Sequence, residues 1–122
     1  MEYTNPAYWK AMMDASLCRL LILRIVCERP RHGYGIIWRA AELTNHQLVP
    51  TQGTIYPVLR DLARSGCLQC RIERTGRRER RVYRATSRGR QALRAGAGVW
   101  RRGLARLQAL LGPARSGPGD DT

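Results

Sequence analysis

Three sets of side chains in this sequence could act on another molecule, and their spacing separates them. Cys67 and Cys70 form a C-x-x-C, but a structural zinc site needs about four ligands, and no second pair or nearby His-x-x-x-His completes one. His32 and His46 lie near turns with no serine, cysteine or carboxylate beside them to share proton transfer. No glycine-rich phosphate loop follows a strand either. These patterns argue against an enzyme, a metal site or any other cofactor. The third set is different: Tyr56, Arg60 and Arg64 recur every fourth residue and form a row of long, polar-tipped side chains along one helix face. Such a row can bond to base edges and phosphates. Small polar Thr51, Gln52 and Thr54 crowd the start of the same helix, where unpaired N–H groups and a positive dipole end suit a phosphate. Taken alone, the row also fits an amphipathic helix whose arginines only keep it soluble. Its neighbours decide between the two.

The helix that carries the row must bury Ile55, Leu59 and Leu62, which recur at helical spacing on another face. Pro57 is tolerated if it lies in the first turn, which places the start near Thr51 to Thr54, and Ser65-Gly66 supplies the stop. Upstream, Glu28 to Gly33 breaks the preceding helix, Tyr34 to Leu43 forms a shorter helix carrying Ile36, Ile37 and Trp38, and Thr44 to Pro50 is the turn. Helix, turn, helix in this order docks on DNA with its second helix in the major groove. After Gly66 the period changes. Leu68 to Arg74 and Arg80 to Ala85 read as a β-hairpin joined by Thr75 to Glu79, a basic tip that carries a glycine. Arg77, Arg78, Arg80 and Arg81 then stand on a ribbon able to reach a flanking minor groove or phosphates, since so many like charges repel unless something neutralises them.

The two ends frame this unit. Met1 to Thr4 reads as a loose end, and Asn5-Pro6 as a cap followed by proline at the first helical position, opening a helix to about Cys27. Trp9, Met12, Met13, Leu17, Leu20, Leu21 and Ile25 stripe it. Thr86-Ser87 caps a last helix to about Leu111, where Leu93, Ala97, Trp100, Leu104, Leu107 and Leu111 alternate steps of four and three. That seam calls for a partner, and the same helix of a second copy, together with the first helix and its Trp9, Met12 and Met13, makes a two-fold dimer. Gly96, Gly98 and Gly103 either kink the last helix or let backbones approach closely. The expected fold is mainly α with a small β-hairpin. Residues 1–86 form a winged helix-turn-helix with a long N-terminal helix, 87–111 a single C-terminal dimerisation helix, and 112–122 a disordered tail.

Composition points to the same class of partner. The chain of 122 residues carries a net charge of +13, with Lys10 its only lysine, and its pI is near 11.1. Such an imbalance repels itself in a compact monomer and suits a polyanion, either nucleic acid or an anionic membrane surface. Fifteen arginines against three acids fall between Arg60 and Arg106, so the basic footprint lies in the second half. No apolar run approaches a membrane span and no secretory signal is present, so a soluble, cytoplasmic protein is expected. Cys18 and Cys27, in apolar surroundings, read as core residues, while Cys67 and Cys70 leave a thiol-redox response open.

Three spaced motifs resemble the PadR family of bacterial transcriptional regulators: His32-Gly-Tyr-Gly-Ile-Ile37, Gly53-Thr-Ile-Tyr-Pro57 leading to Gly66, and Arg80-Arg-Val-Tyr-Arg-Ala-Thr-Ser-Arg-Gly89. The likeness runs from about Ser16 to Leu111. The single C-terminal helix is similar to the short subfamily with multidrug-sensing LmrR-type repressors. The resemblance implies a dimeric repressor on palindromic double-stranded DNA, with Thr54 and Tyr56 at the DNA face and Tyr34 close to it. It also implies a small aromatic effector held at the dimer centre, where Trp100 matches the family's tryptophan on the last helix. The second tryptophan of that pair has no match, Ile72 or a neighbour standing there, so Trp9 and Met13 are the further candidates for such a pocket. Together these readings assign DNA contact to Tyr34, Thr51, Gln52, Thr54, Tyr56, Arg60, Arg64, Arg77, Arg78 and Arg80. The competing readings are a basic winged-helix module that binds nucleic acid without sequence choice, or a protein partner, and a thiol-responsive repressor.

Overall fold

The computed structural model describes residues 2–113 and consists of four helices and one three-stranded antiparallel sheet. In chain order these are α1 (Pro6–Glu28), β1 (Arg31–His32), α2 (Gly33–Leu43), α3 (Gln52–Arg64), β2 (Leu68–Thr75), β3 (Arg78–Ala85) and α4 (Ser87–Leu111). The mainly helical fold with a small sheet is the one expected. Asn5 caps α1 by accepting the Ala7 N–H at 2.9 Å, and Pro6 follows inside the first turn. The core gathers one face from each of the first three helices and closes under the sheet. Ile22, Ile25 and Val26 of α1, Ile36 of α2, and Ile55 and Leu59 of α3 are its most deeply buried side chains, with Leu68 and Tyr83 beneath. Each such aliphatic side chain contributes roughly 2 kcal/mol by leaving water.

Local chemistry fixes where α2 and α3 stop. At the end of α2, the Asn45 N–H reaches the Glu42 carbonyl at 3.4 Å and the His46 N–H reaches that of Ala41 at 2.7 Å. Both residues take positive φ, 51° and 63°. The Thr44 hydroxyl donates to the Ala40 carbonyl at 2.7 Å and accepts the Leu48 N–H at 3.0 Å, which ties the turn back onto the helix. At the end of α3, Cys67 N–H bonds to the Leu62 carbonyl at 2.9 Å and Gly66 N–H to that of Ala63 at 3.1 Å, with Gly66 at φ 79°. The chain then reverses directly into β2. Thr86 closes the unit from the far side: its hydroxyl donates to the Gly66 carbonyl at 2.6 Å and accepts the Gly89 N–H at 3.1 Å.

Several expectations need correction. Pro57 lies in the second turn of α3, because the helix already starts at Gln52. The Gly53 carbonyl four residues back therefore gets no intrahelical proton from it, a loss that exposed Gly53 can make good with water. The hairpin supplies two strands of a three-stranded sheet: Arg31 and His32 of β1 pair with Tyr83 and Val82, giving the order β1-β3-β2. Its loop is also shorter than Thr75 to Glu79. Thr75 pairs with Arg78, leaving Gly76-Arg77 as a two-residue turn with positive φ at the glycine alone. Arg78 and Glu79 are consequently strand residues. Tyr3 is not loose either, since its carbonyl accepts the Trp9 indole N–H at 2.7 Å and its ring packs against Tyr8 and Trp9. The expected disordered tail falls, from residue 114 on, outside the described residues.

Candidate nucleic-acid interface

The N-terminal ends of α2 and α3 converge, and one residue allows it. A side chain on Gly33 would place its Cβ 2.5 Å from the Tyr56 hydroxyl oxygen and 2.9 Å from the ring carbon bearing it. Only glycine leaves room for Tyr56 to lie across the start of α2. His32 caps that start by accepting the Gly35 N–H at 3.2 Å, which gives this histidine a structural role at the turn. The Gln52 side-chain amide donates to the Tyr34 hydroxyl, so the two helix starts are bonded as well as packed. Thr51 caps α3 by accepting the Thr54 N–H at 3.3 Å, and the two threonine hydroxyls lie 3.1 Å apart. Thr51, Gln52 and Thr54 are all exposed.

Beside these helix starts runs an open groove of about 920 Å³. His32, Gly33, Tyr34 and Trp38 form one side, Tyr56 and Arg60 of α3 the second, and Arg78 to Arg81 of β3 the third. Of the ten residues assigned to DNA contact from sequence, the groove brings together Tyr34, Tyr56, Arg60, Arg78 and Arg80. Thr51, Gln52 and Thr54 cluster at the tip of α3, Arg64 is exposed in its last turn, and Arg77 stands in the hairpin turn. None of those five lines the groove. The other five lining residues, His32, Gly33, Trp38, Glu79 and Arg81, are not among those ten, and two of them bear on binding. Arg81 is one arginine among several on the expected ribbon, and Trp38 follows apolar Ile36 and Ile37, where it reads as core. In fact Trp38 is 65% exposed, with its ring centroid 6.4 Å from that of Tyr34 and 6.5 Å from that of His32. The signal available is its spacing, four residues beyond Tyr34 on the same helix face.

Charge on this side of the molecule is held in place from behind. Glu28, at the end of α1, receives Arg39 of α2 at 2.9 Å, Arg24 at 2.8 Å and Arg31 of β1 at 3.1 Å. Hydrogen bonding from Arg39, helped by Arg24, lowers its carboxyl from the ordinary 4.5 to about 2 against an opposing desolvation. The Arg31 Nε is buried without a partner, so Glu28 carries what binding that guanidinium has within the fold. Lys10 Nζ bonds to the Gln47 carbonyl at 2.6 Å and to Asp14, linking α1 to the turn between α2 and α3.

None of the remaining expected residues lines the groove. Trp9, Met12, Met13, Leu104, Leu107 and Leu111 are exposed, and Leu93, Ala97 and Trp100 are half-buried. Within the chain α4 packs on α1, where Gly96 admits Leu20, whose methyl would stand 3.0 Å from an added Cβ. Cys18 is buried in the core as expected, whereas Cys27 is only half-buried outside it; burial raises both thiols. Cys67 is buried at the junction of α3 and β2, and Cys70 is exposed on β2. Among the described residues no three His, Cys, Asp or Glu side chains gather as metal ligands, and no helix is long and apolar enough to cross a membrane.

Residues 22–95 match the transcriptional regulator PadR-like family, a span that takes in α2, α3 and both long strands. The chain belongs to that family. PadR-like proteins are transcriptional regulators, not enzymes. Over 75 residues the chain is 40% identical to the transcriptional regulator Rv3488 of Mycobacterium tuberculosis, covering 62% of this chain and 67% of the relative. The PadR-like fold is shared with solved structures of lower identity. A PadR family regulator from Eggerthella lenta superposes with a TM-score of 0.78 at 24% identity, covering 88% of this chain and 93% of the other. A PadR-like regulator from Bacillus cereus gives 0.71 at 18% identity, covering 84% and 99%.

Proposed function

We propose that this PadR-like regulator is a sequence-specific DNA-binding repressor that works in the cytoplasm as a homodimer of the short, LmrR-like kind. The observation that carries the reading is the convergence at one groove of Tyr56 and Arg60 from the α3 row, Tyr34 from the start of α2 and the basic β3 strand. In this reading α3 enters the major groove, with Tyr34, Gln52, Thr54, Tyr56, Arg60 and Arg64 facing bases or flanking phosphates. Thr51 caps that helix at its phosphate-facing end. Arg77, Arg78 and Arg80 anchor the wing on the backbone. The apolar residues left open on α1 and α4 supply the dimer contact, which would set two copies of α3 roughly 34 Å apart on a palindromic operator. A flat aromatic effector seated between the copies beside Trp9, Met13 and Trp100 is the proposed input.

The test is a binding titration against the DNA upstream of the protein's own reading frame, with a scrambled duplex of equal length, at two salt concentrations. The expected result is a preference of about a hundredfold or more for the upstream DNA. Equal and steeply salt-dependent binding to both would remove autoregulation and favour a module that senses charge alone.

A further inference from the structure

We propose that the groove between α2, α3 and β3 seats one deoxyribose-phosphate strand of the duplex, with Trp38 as an apolar wall against the sugars. The inference rests on the DNA-binding reading and adds to it an uncharged contact from Trp38, one turn beyond Tyr34 on α2. Four arginines, Arg60, Arg78, Arg80 and Arg81, line the groove against a single acid, Glu79. That acid is already bonded to Arg74 at 2.9 Å, so its charge is met from outside the groove. The lining therefore attracts an anion along its length, and its volume of about 920 Å³ suits a run of backbone better than one ion.

Charge alone does not explain Trp38. An indole 65% exposed on a soluble chain forgoes the burial that large aromatics normally gain, yet this one is held in a row with Tyr34 and His32. A DNA strand offers a surface that alternates in the same way: anionic phosphates joined by sugars with apolar faces, while the bases of a duplex are stacked on one another. An indole supplies an apolar face for a sugar and one N–H for a phosphate, and the arginines opposite take the remaining phosphates. Because Trp38 is uncharged, its contribution separates from theirs in the salt dependence.

The experiment uses the full chain and a labelled duplex recovered by the wild-type protein from a randomised pool. Trp38→Ala should weaken binding about tenfold, the scale expected for removing a single aromatic ring from an interface. The slope of affinity against salt should not change, since no phosphate-pairing charge is removed. Trp38→Phe, which keeps a ring and loses the N–H, should recover part of the affinity. Hydroxyl-radical footprinting should show sugars in each half-site that the wild type protects and Trp38→Ala leaves open. Trp38→Ala with wild-type affinity and footprint, while Arg60→Ala loses binding, would overturn the strand contact and leave the DNA reading standing. Failure of the wild type to enrich any duplex would remove both.

Discussion

Gly33 and Tyr56 are a pair in which the absence of one side chain makes the position of the other possible. Gly33→Ala forces the Tyr56 ring off the start of α2, and overpacking of this kind costs about 2 kcal/mol. In a Tyr56→Ala background most of that cost should vanish, so a double-mutant cycle read by chemical denaturation measures the contact directly. Glu28 gives a prediction of a different sort. Its carboxyl titrates near 2 in the folded chain and near 4.5 when unpaired, so the stability it adds is present above about 4.5 and is lost as pH falls toward 2. Melting curves across that window should be flatter for Glu28→Gln than for the wild type. At this scale the sequence is informative only in part. Tyr56 and Arg60 are legible as a helical row, but Trp38 is not, because beside Ile36 and Ile37 an apolar residue reads as core until the neighbours that fail to cover it are known.

Among the elements, the long helices announce themselves. Asn5-Pro6, Thr51, Ser65-Gly66 and Thr86 are caps and stops whose chemistry is local, and each stands where its residue type suggests. The short strand β1 cannot be read that way: two residues have no period, and only the opposite strand, some fifty positions on, makes Arg31 and His32 extended. The same applies to the tight Gly76-Arg77 turn, whose length is set by the register of β2 on β3. The junction of α3, β2 and α4 is the least forgiving point between elements. A Cβ on Gly89 would stand 2.1 Å from the Cys67 carbonyl oxygen, a backbone atom that cannot swing aside. Gly89→Ala should therefore cost about 3 kcal/mol, or prevent folding, in a denaturant titration. The matching change at Gly103, which faces open space in the chain, should be tolerated or mildly stabilising to the fold.

For the whole molecule, the distribution of charge and of uncovered apolar surface leads to separate tests. Arg77, Arg78 and Arg80 changed together to alanine should lower the slope of log affinity against log salt by about one unit for each phosphate left without its arginine. On the proposed reading α3 is untouched by those changes, so preference for one sequence over another should survive them. Leu104→Glu and Leu107→Glu place charge on the half-exposed face of α4, where the isolated chain tolerates it. If the proposed dimer forms through this face, light scattering should show the mass falling from twice one chain to its 13.9 kDa, with half-site affinity retained and full-site affinity reduced.

The strand β2 lies at the edge of the sheet, and all of its residues after Leu68 are exposed, Ile72 among them. An open edge with an uncovered isoleucine is a template on which another polypeptide can add a strand, the first step toward fibrous aggregates. Arg74 is paired with Glu79, but Arg71 on β2 and Arg80 and Arg81 on β3 keep the ribbon net positive, which repels a second ribbon of the same sign. Concentrated salt shortens the reach of that repulsion to about 3 Å at 1 M. The DNA-free protein should accordingly become turbid and bind thioflavin T in strong salt, and a charge placed at Ile72 should keep it clear.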